Sequence, residues 1–121
     1  MPTSQAFTRQ HRLLSGREYQ AVFDQPSLKV SNAAFLLLVR ENGLTLPRLG
    51  LVIGRKRARR AVDRARIKRR AREQFRIRQQ QLAGLDIILL QRGNLQNPSG
   101  EQLTAQLAAL FDKLLAKRQQ A

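Results

Sequence analysis

The sequence predicts a single α+β domain in which three helices cover a small sheet, in the element order αβββαβα. Ser15 and Ser99 each precede a Glu or Gln by three residues, which is the capping-box pattern of a helix start. Short apolar runs bounded by turn residues predict strands between the helices. The segment 55–78 contains no Gly or Pro and repeats apolar residues at helical spacing, which predicts a long helix.

The first half of the chain contains one helix and three strands. The helix begins after Ser15 and ends before Pro26, which cannot continue it. Apolar runs predict strands at 33–40 and 48–53, and residues 28–30 add a short edge strand. Glu41, Asn42 and Gly43 form a turn in which glycine can take a positive φ.

The second half contains the long helix, one strand and a last helix. Gly84 ends the helical pattern, and residues 86–91 form an apolar strand. The stretch 92–100, rich in Gly, Asn and Pro, is the main loop. Ser99 and Gln102 start the last helix, whose apolar seam consists of Leu103, Leu107, Leu110 and Leu114.

The long helix is strongly basic. Segment 55–78 holds thirteen of the 23 Lys and Arg residues against two acids, so its net charge is +11 of a total of +15. We predict a helix from about Ala58 to about Gln80, in which Ile67, Ala71 and Phe75 share one side. A disordered, solvated tail is the alternative, but such tails lack a periodic apolar seam. Four further residues extend the apolar contact through the first turns: Ala58, Ala61, Val62 and Ala65.

Length and composition limit the possible roles. The 121 residues fit one domain, 1–121, with residues 1–14 as a flexible arm, and the absence of cysteine favours a reducing cytoplasm. A net charge of +15 with a pI of 11.9 indicates nucleic acid or an anionic membrane as partner. A membrane-surface helix needs a broad stripe of large apolar residues, whereas this helix offers mostly alanine. The start of the chain has no apolar signal core, and the longest apolar run, of seven residues, is too short to span a membrane.

Side chains typical of catalysis are scarce. The eight acidic residues are scattered, and Asp63 and Glu73 lie ~15 Å apart along a helix, too far to share one ion. We expect both to pair with neighbouring arginines. His11, the only histidine, is expected to be an exposed residue of the arm. Tyr19 and Phe23, on one side of the first helix, either stack on unpaired bases or fill the core, and the core is favoured, above all for Phe23.

The basic segment resembles a known signature. Arg55-Lys56, then the run from Arg59 to Arg69, and Arg72-Glu73 with Phe75-Arg76, closely resemble the signature helix of the bacterial ribonuclease P protein component. Phe7, Arg9, Arg12 and Leu13 look like the opening of that family, Tyr19 to Phe23 like its first-helix aromatics, and Gly50-Leu51-Val52 like the strand that enters the basic helix. The resemblance covers nearly the whole chain.

The resemblance implies an α/β sandwich with a four-stranded sheet. It also implies that the basic helix lies in a left-handed crossover, whereas such crossovers are usually right-handed. It also implies a protein subunit that assists a catalytic RNA. The ribonuclease P RNA removes the 5′ leader of precursor tRNA by magnesium-dependent hydrolysis, so the protein alone is not expected to cleave. The Mg²⁺ ions would be bound mainly by the RNA, and neither a membrane nor a stable protein partner is implied.

Site residues follow from the same resemblance. Residues expected to bind the catalytic RNA are Arg55, Lys56, Arg59, Arg60, Arg64, Ala65, Arg66, Lys68, Arg69 and Arg72. A cleft between the sheet and the first helix would hold the single-stranded leader. Its expected residues are Phe7, Arg9, Arg12, Tyr19, Phe23 and Phe35.

Two positions depart from the family pattern. Ala65 stands between Arg64 and Arg66 where the family has asparagine, so an amide that can both donate and accept hydrogen bonds is missing. The substitution is either natural or engineered. Leu38 stands where some relatives carry an aromatic residue in the cleft.

Other functions remain as alternatives to an RNA-binding subunit of a tRNA-processing ribonucleoprotein. A ribosomal or assembly protein is the nearest one, because such proteins share small α+β folds and basic helices. A DNA-binding architectural protein is disfavoured, since no dimerisation seam or symmetric recognition helix is apparent. An autonomous nuclease ranks last.

Overall fold

The helices and strands follow the predicted order αβββαβα. The computed structural model describes residues 6–93, 95 and 98–120. A short 3₁₀ turn, Arg9–His11, precedes the first helix. The helices are α1 (Gly16–Asp24), α2 (Ala61–Arg76) and α3 (Gly100–Gln120), and the strands are β1 (Leu28–Ser31), β2 (Phe35–Glu41), β3 (Arg48–Val52) and β4 (Leu85–Gln91).

The four strands form one mixed sheet in the order β1-β2-β4-β3. The pairs β1-β2 and β2-β4 are antiparallel, whereas β3 and β4 are parallel and are joined by α2. The short strand predicted at 28–30 is therefore confirmed as an edge strand. The predicted turn is confirmed at Asn42 and Gly43, where Gly43 has a φ of 70°, whereas Glu41 still belongs to β2.

Alternating residues of the strands face two separate clusters. Ile87 and Leu89 of β4 join the main core beneath α2 and α3, which also contains Phe35 and Leu37. Ile88 of β4 faces the other way and packs with the smaller cluster under α1. The sheet is thus covered on both faces, but by unequal layers.

The predicted helix starts are confirmed by their caps. The Ser15 hydroxyl accepts a hydrogen bond from the Glu18 N–H at 3.1 Å, and Glu18 Oε1 accepts one from the Ser15 N–H at 3.0 Å. Ser99 and Gln102 exchange the same pair of bonds at the start of α3, each at 3.0 Å. Leu103, Leu107, Leu110 and Leu114 are all completely buried, as the seam predicted.

The basic helix is shorter at both ends than predicted. It spans Ala61–Arg76 rather than about 58–80. Ala58 lies in a turn before the helix, where its N–H donates to Gly54 O at 3.2 Å. Beyond Arg76 the chain tightens into turns in which several N–H groups bond three residues back, and these bring Leu82 into the core.

The predicted apolar extension of α2 is wrong. Its buried face contains Asp63, Ile67, Ala71 and Phe75, which recur every four residues. Val62 lies about 100° from this face and is 52% exposed. Ala61 and Ala65 are also exposed, so only Ala58, outside the helix, makes the expected apolar contact.

Residues 6–14 lie against the domain. The Leu13 N–H donates to Leu49 O at 3.1 Å, and the Leu13 side chain is 4% exposed. Arg12 forms an isolated parallel bridge with Leu49, so this segment extends the sheet beyond β3. The expectation of a flexible arm falls partly on residues 1–5, which lie outside the described residues.

Candidate nucleic-acid interface

The turn that leads into α2, residues 54–60, is a basic loop whose backbone bonds inward. Arg57 O accepts hydrogen bonds from the Gln91 side-chain amide at 3.0 Å and from the Leu95 N–H at 3.5 Å. Ala58 is 1% exposed and anchors the loop in the core. The charged residues of the loop are exposed at the surface: Arg55, Lys56, Arg57, Arg59 and Arg60.

Arg64 holds this basic loop from the first turns of α2. Its Nη1 donates to Ala58 O and to Arg59 O, each at 2.9 Å. The side chain is only partly exposed. Arg64, predicted as an RNA contact, is therefore also a structural donor, which spacing along a helix does not reveal.

Gln91 was missed by sequence reasoning. Besides Arg57 O, its amide donates to Gly93 O at 2.9 Å, so one side chain joins the end of β4 to the basic loop. A polar residue that ends the apolar run 87–90 was the available signal. Gly93 is two positions away, but Arg57 is 34 positions away, beyond the reach of any local pattern.

Other cations of α2 differ in whether their side chains have a hydrogen-bond partner within the protein. Arg66 Nη1 donates to Pro98 O at 2.9 Å, and thereby ties α2 to the segment before α3. In the described part of the chain, the side chains of Lys68 and Arg69 have no hydrogen-bond or ion-pair partner. Ala65 and Arg69 are exposed, whereas Lys68 and Arg72 are partly buried.

The two acids of α2 pair with arginines, as predicted. Asp63 Oδ2 lies 3.3 Å from Arg60 Nε, and Glu73 Oε1 lies 2.7 Å from Arg76 Nη2. The hydrogen bond from Arg76 lowers the pKa of Glu73 below its ordinary value. Each acid thus neutralises one neighbouring arginine.

An open groove of about 250 Å³ lies at the outer edge of β3, and we call it the edge groove. It brings together residues from the N-terminal segment, α1, β3 and α2. The described residues that line it are Phe7, Arg12, Leu13, Leu14, Tyr19, Leu49, Leu51, Lys68 and Arg72. None of them is acidic.

Tyr19 reaches the edge groove across a glycine. A Cβ atom added to Gly50 would come within 2.6 Å of Tyr19 Cε2, so the ring lies directly against the backbone of β3. Only glycine allows this approach without a shift of the ring. The tyrosine thereby places an aromatic surface and a hydroxyl in the groove.

The N-terminal segment contributes a cluster of rings. Phe7 meets Phe75 edge-on with ring centroids 5.5 Å apart, and Arg12 lies over Phe7 at 5.3 Å. His11 stacks with Phe7 at 6.2 Å, and its Nδ1 accepts a hydrogen bond from the Thr8 N–H at 3.1 Å. The expectation of an exposed arm histidine is therefore wrong, since His11 is partly buried in this cluster.

None of the described residues that line the edge groove is an acid that would neutralise its cations. Burial lowers the pKa of Arg72 from its usual value, and repulsion from Arg12 lowers it further, although Tyr19 acts in the opposite direction. Arginine nevertheless stays charged at neutral pH. Arg12, Lys68 and Arg72 together therefore favour an anion in the groove.

Three residues predicted for the leader cleft do not line the edge groove. Phe35 is completely buried in the main core beneath α2 and α3, so it is not part of a cleft wall. Phe23 is 39% exposed, which contradicts its expected core role, and it does not line the edge groove. Arg9 is exposed in the 3₁₀ turn outside the groove. The roles of Phe23 and Arg9 in leader binding stay predictions.

Comparison with known proteins identifies the family. The family model for ribonuclease P matches residues 7–115. The chain belongs to the ribonuclease P protein family. A ribonuclease P protein component from Alcanivorax borkumensis is 69% identical over 121 residues, covering 100% of both chains. Another, from Pseudomonas entomophila, is 47% identical over 115 residues, covering 95% of this chain and 86% of its own.

Solved structures of the family share the fold. The RNase P protein of Staphylococcus aureus superposes with a TM-score of 0.77 at 24% identity, covering 86% of this chain and 94% of its own. The protein from Thermotoga maritima gives a TM-score of 0.68 at 28% identity, covering 88% and 96%. The predicted α+β architecture is thus confirmed, and the chain is a subunit of an endoribonuclease of tRNA processing.

Two further findings concern the described residues alone. Within them, no group of three or more His, Asp or Glu side chains is arranged to hold a metal ion. No helix in the same part of the chain is long and apolar enough to cross a membrane.

Proposed function

We propose that this ribonuclease P protein binds the catalytic RNA and holds the 5′ leader of precursor tRNA while the RNA performs magnesium-dependent cleavage. The basic loop and the outer face of α2 contact the RNA subunit. The edge groove receives the single-stranded leader. Magnesium is bound by RNA phosphates, and the protein's cations replace diffuse counterions near the cleavage site. The complex works in the cytoplasm and needs no membrane or stable protein partner.

The observation that carries the proposal is the composition of the edge groove. Single-stranded RNA is bound by aromatic rings on which bases stack and by cations that follow the phosphates. The groove supplies both, with Phe7 and Tyr19 as rings and Arg12, Lys68 and Arg72 as cations. A groove with this lining suits an unpaired strand better than a rigid duplex.

The remaining assigned cations are divided by their exposure. Exposed and partnerless side chains are the best phosphate contacts, because they lose no internal bond on binding. In the described part of the chain these are Arg55, Lys56, Arg59 and Arg69. We assign Arg60, Arg64 and Arg66 to the same surface, where the last two also maintain the local backbone.

The test compares two substrates that differ only in the leader. Tyr19→Ala removes the ring, and Gly50→Ala keeps it but forces it to move, since the added Cβ would lie 2.6 Å from it. In the reconstituted holoenzyme, both variants are expected to weaken binding of leader-bearing precursor tRNA. The expected loss for Tyr19→Ala is about 1 to 3 kcal/mol. Mature tRNA should bind as it does to the wild type.

Stability must be measured beside affinity, because Tyr19 also packs on the cluster under α1. Thermal melting shows whether each variant is folded at the temperature of the binding assay. Equal losses for precursor and mature tRNA, in folded protein, would show that the edge groove does not hold the leader. Cleavage of precursor tRNA by RNA-free protein would refute the assignment of the chemistry to RNA.

A further inference from the structure

The sheet face under α1 carries its polar residues at one end. Strand register places Arg40, Asp86 and Arg48 side by side across β2, β4 and β3. Two residues further along, the corresponding row is Leu38, Ile88 and Gly50, the glycine against which the Tyr19 ring lies. The polar row is therefore adjacent to the row that supports Tyr19.

Arg48 is the centre of a hydrogen-bond network in this polar row. Its Nε and Nη2 donate to the two carboxylate oxygens of Asp86 at 2.8 and 2.7 Å, in a bidentate pair. Asn42 Nδ2 donates to the same Asp86 Oδ1 at 2.9 Å. The third nitrogen, Arg48 Nη1, remains for α1, where it donates to Glu18 Oε2 at 2.5 Å.

The Glu18 carboxylate both caps α1 and contacts the sheet. Its Oε1 accepts from the backbone N–H groups of Leu14 and Ser15 at 2.7 and 3.0 Å, and so caps the start of α1. Its Oε2 accepts from Arg48 of β3. Glu18 immediately precedes Tyr19, so the position of this carboxylate sets where the Tyr19 side chain leaves the helix.

Apolar packing alone fixes α1 poorly. Its one fully buried side chain is Val22, and its nine residues provide few other apolar contacts. A second arginine, Arg40, donates to Ala21 O at 2.8 Å, one turn beyond Glu18. The guanidinium groups of the polar row thus hold two successive points of a short helix.

We propose that Arg48 is a positioning residue for substrate binding, which fixes α1 on the sheet and thereby holds the Tyr19 ring in the edge groove. This inference rests on the proposed function, because it takes Tyr19 as a contact of the leader. Arg48 itself does not line the groove, and it acts only through Glu18 and α1.

The principal variant is Arg48→Lys. Lysine keeps the net charge of +15, so the general attraction to RNA is unchanged, but a single ammonium cannot bond Asp86 at two points and also reach Glu18. The quantity to measure is the ratio of the Kd for mature tRNA to the Kd for precursor tRNA in the holoenzyme. We expect this ratio to fall roughly three- to tenfold, with a higher KM and an unchanged kcat.

A double-mutant cycle separates positioning from general stability. If Arg48 acts through Tyr19, Arg48→Lys should have little further effect on the ratio in a Tyr19→Ala background. Glu18→Gln provides a second route, because the amide retains an oxygen for the cap but loses the charge that holds Arg48. Arg78→Lys is the matched control, since Arg78, in the turns after α2, pairs with Asp112 of α3 at 3.0 Å, on the opposite side of the sheet from α1.

The outcomes are distinct. Arg48→Lys and Glu18→Gln that are folded, by thermal melting, and keep the wild-type ratio would overturn the inference and leave the proposed function intact. The same holds if Arg48→Lys reduces the ratio equally with and without Tyr19. If Tyr19→Ala itself leaves the ratio unchanged, the leader assignment fails first and Arg48 has no contact to position. A fall of the ratio in Arg78→Lys would attribute the effect to stability and overturn the inference.

Discussion

Helices α1 and α2 both deliver residues to the proposed interface, but they are attached to the sheet in different ways. Helix α2 has 16 residues and buries Ile67, Ala71 and Phe75 completely in the main core. Helix α1 has nine residues and buries only Val22, and it accepts charged hydrogen bonds from Arg40 of β2 and Arg48 of β3.

This difference separates stability from recognition. Burial of apolar surface holds α2 in place largely independently of salt or pH, which suits a helix whose outer face is crowded with cations. Directional bonds to α1 fix the angle of one helix without a large core. Substitutions of residues that pack beneath α1 should therefore weaken substrate binding before they unfold the protein. Substitutions of residues that pack beneath α2 should unfold the protein first.

The largest expected effect comes from two neighbouring isoleucines. Ile87 and Ile88 are both completely buried, but Ile87 packs beneath α2 and α3 and Ile88 beneath α1. We expect Ile87→Ala to lower the free energy of unfolding by about 4 kcal/mol and Ile88→Ala by about 2 to 3 kcal/mol, because α1 can settle into the cavity. Urea denaturation measures both.

Substrate binding gives the opposite order for this pair. At a temperature where both variants are folded, Ile88→Ala should weaken leader-dependent binding more than Ile87→Ala, since a shift of α1 carries Tyr19 with it. Equal effects of the two variants on both measurements would remove the distinction between the helices.

The second prediction separates the two kinds of cation on α2. Arg69→Ala removes an exposed side chain, so it should change the free energy of unfolding by no more than about 0.5 kcal/mol. The slope of log K for RNA binding against log salt concentration should become shallower by roughly 0.7 to 0.9, the contribution of one phosphate contact. Arg64→Ala should in addition destabilise the free protein by about 1 to 2 kcal/mol, because two carbonyls of the basic loop lose a charged donor. Salt titrations of affinity, together with melting curves, distinguish them. Identical behaviour of the two variants would show that the Arg64 bonds contribute nothing to the loop.

Sequence signals predicted the elements whose causes are local. The starts of α1 and α3 follow from capping boxes at Ser15 and Ser99, and the element order follows from those starts and the apolar runs. The ends of α2 were mispredicted because they depend on the inward bonds of the basic loop and on the tightened turns that bury Leu82. Neither cause leaves a local pattern.

The candidate site was less accessible to sequence reasoning. Strand register decides which face a residue occupies, and a change of one position reverses it, so the burial of Phe35 could not be derived from composition. Phe7, Tyr19 and Arg72 meet at the edge of β3 although they are distant in the chain. Only the family resemblance grouped most of these residues, and their contact with RNA stays a prediction.

The third prediction concerns Ala65, an exposed position between Arg64 and Arg66 on α2. Asparagine is a poorer helix former than alanine, so Ala65→Asn should cost the free protein up to ~0.7 kcal/mol. If this position faces RNA, the amide adds hydrogen bonds worth ~0.5 to 1.5 kcal/mol each, and the holoenzyme should require less magnesium. Melting of the free protein and magnesium titration of the holoenzyme test the two halves. An unchanged RNA affinity and magnesium requirement would show that position 65 does not touch RNA.

The smallest expected effect is a local response of α1 to acid. Backbone hydrogen bonds from Leu14 and Ser15, followed by the charge of Arg48, lower the pKa of Glu18 below its ordinary value of 4.5. Because the folded pKa is depressed, Glu18 stabilises α1 above pH 4.5, and this contribution is lost as the pH falls through the folded pKa.

Tyr19 is the only tyrosine and there is no tryptophan, so intrinsic fluorescence reports on α1 alone. We expect a change in Tyr19 fluorescence below pH 4.5 before the circular dichroism of the whole domain changes, and a smaller change in Glu18→Gln, which cannot titrate at this position. If Glu18→Gln showed the full wild-type transition, Glu18 would not be the group that makes α1 acid-sensitive, and the contrast between a charge-held α1 and an apolar-held α2 would lose its electrostatic basis.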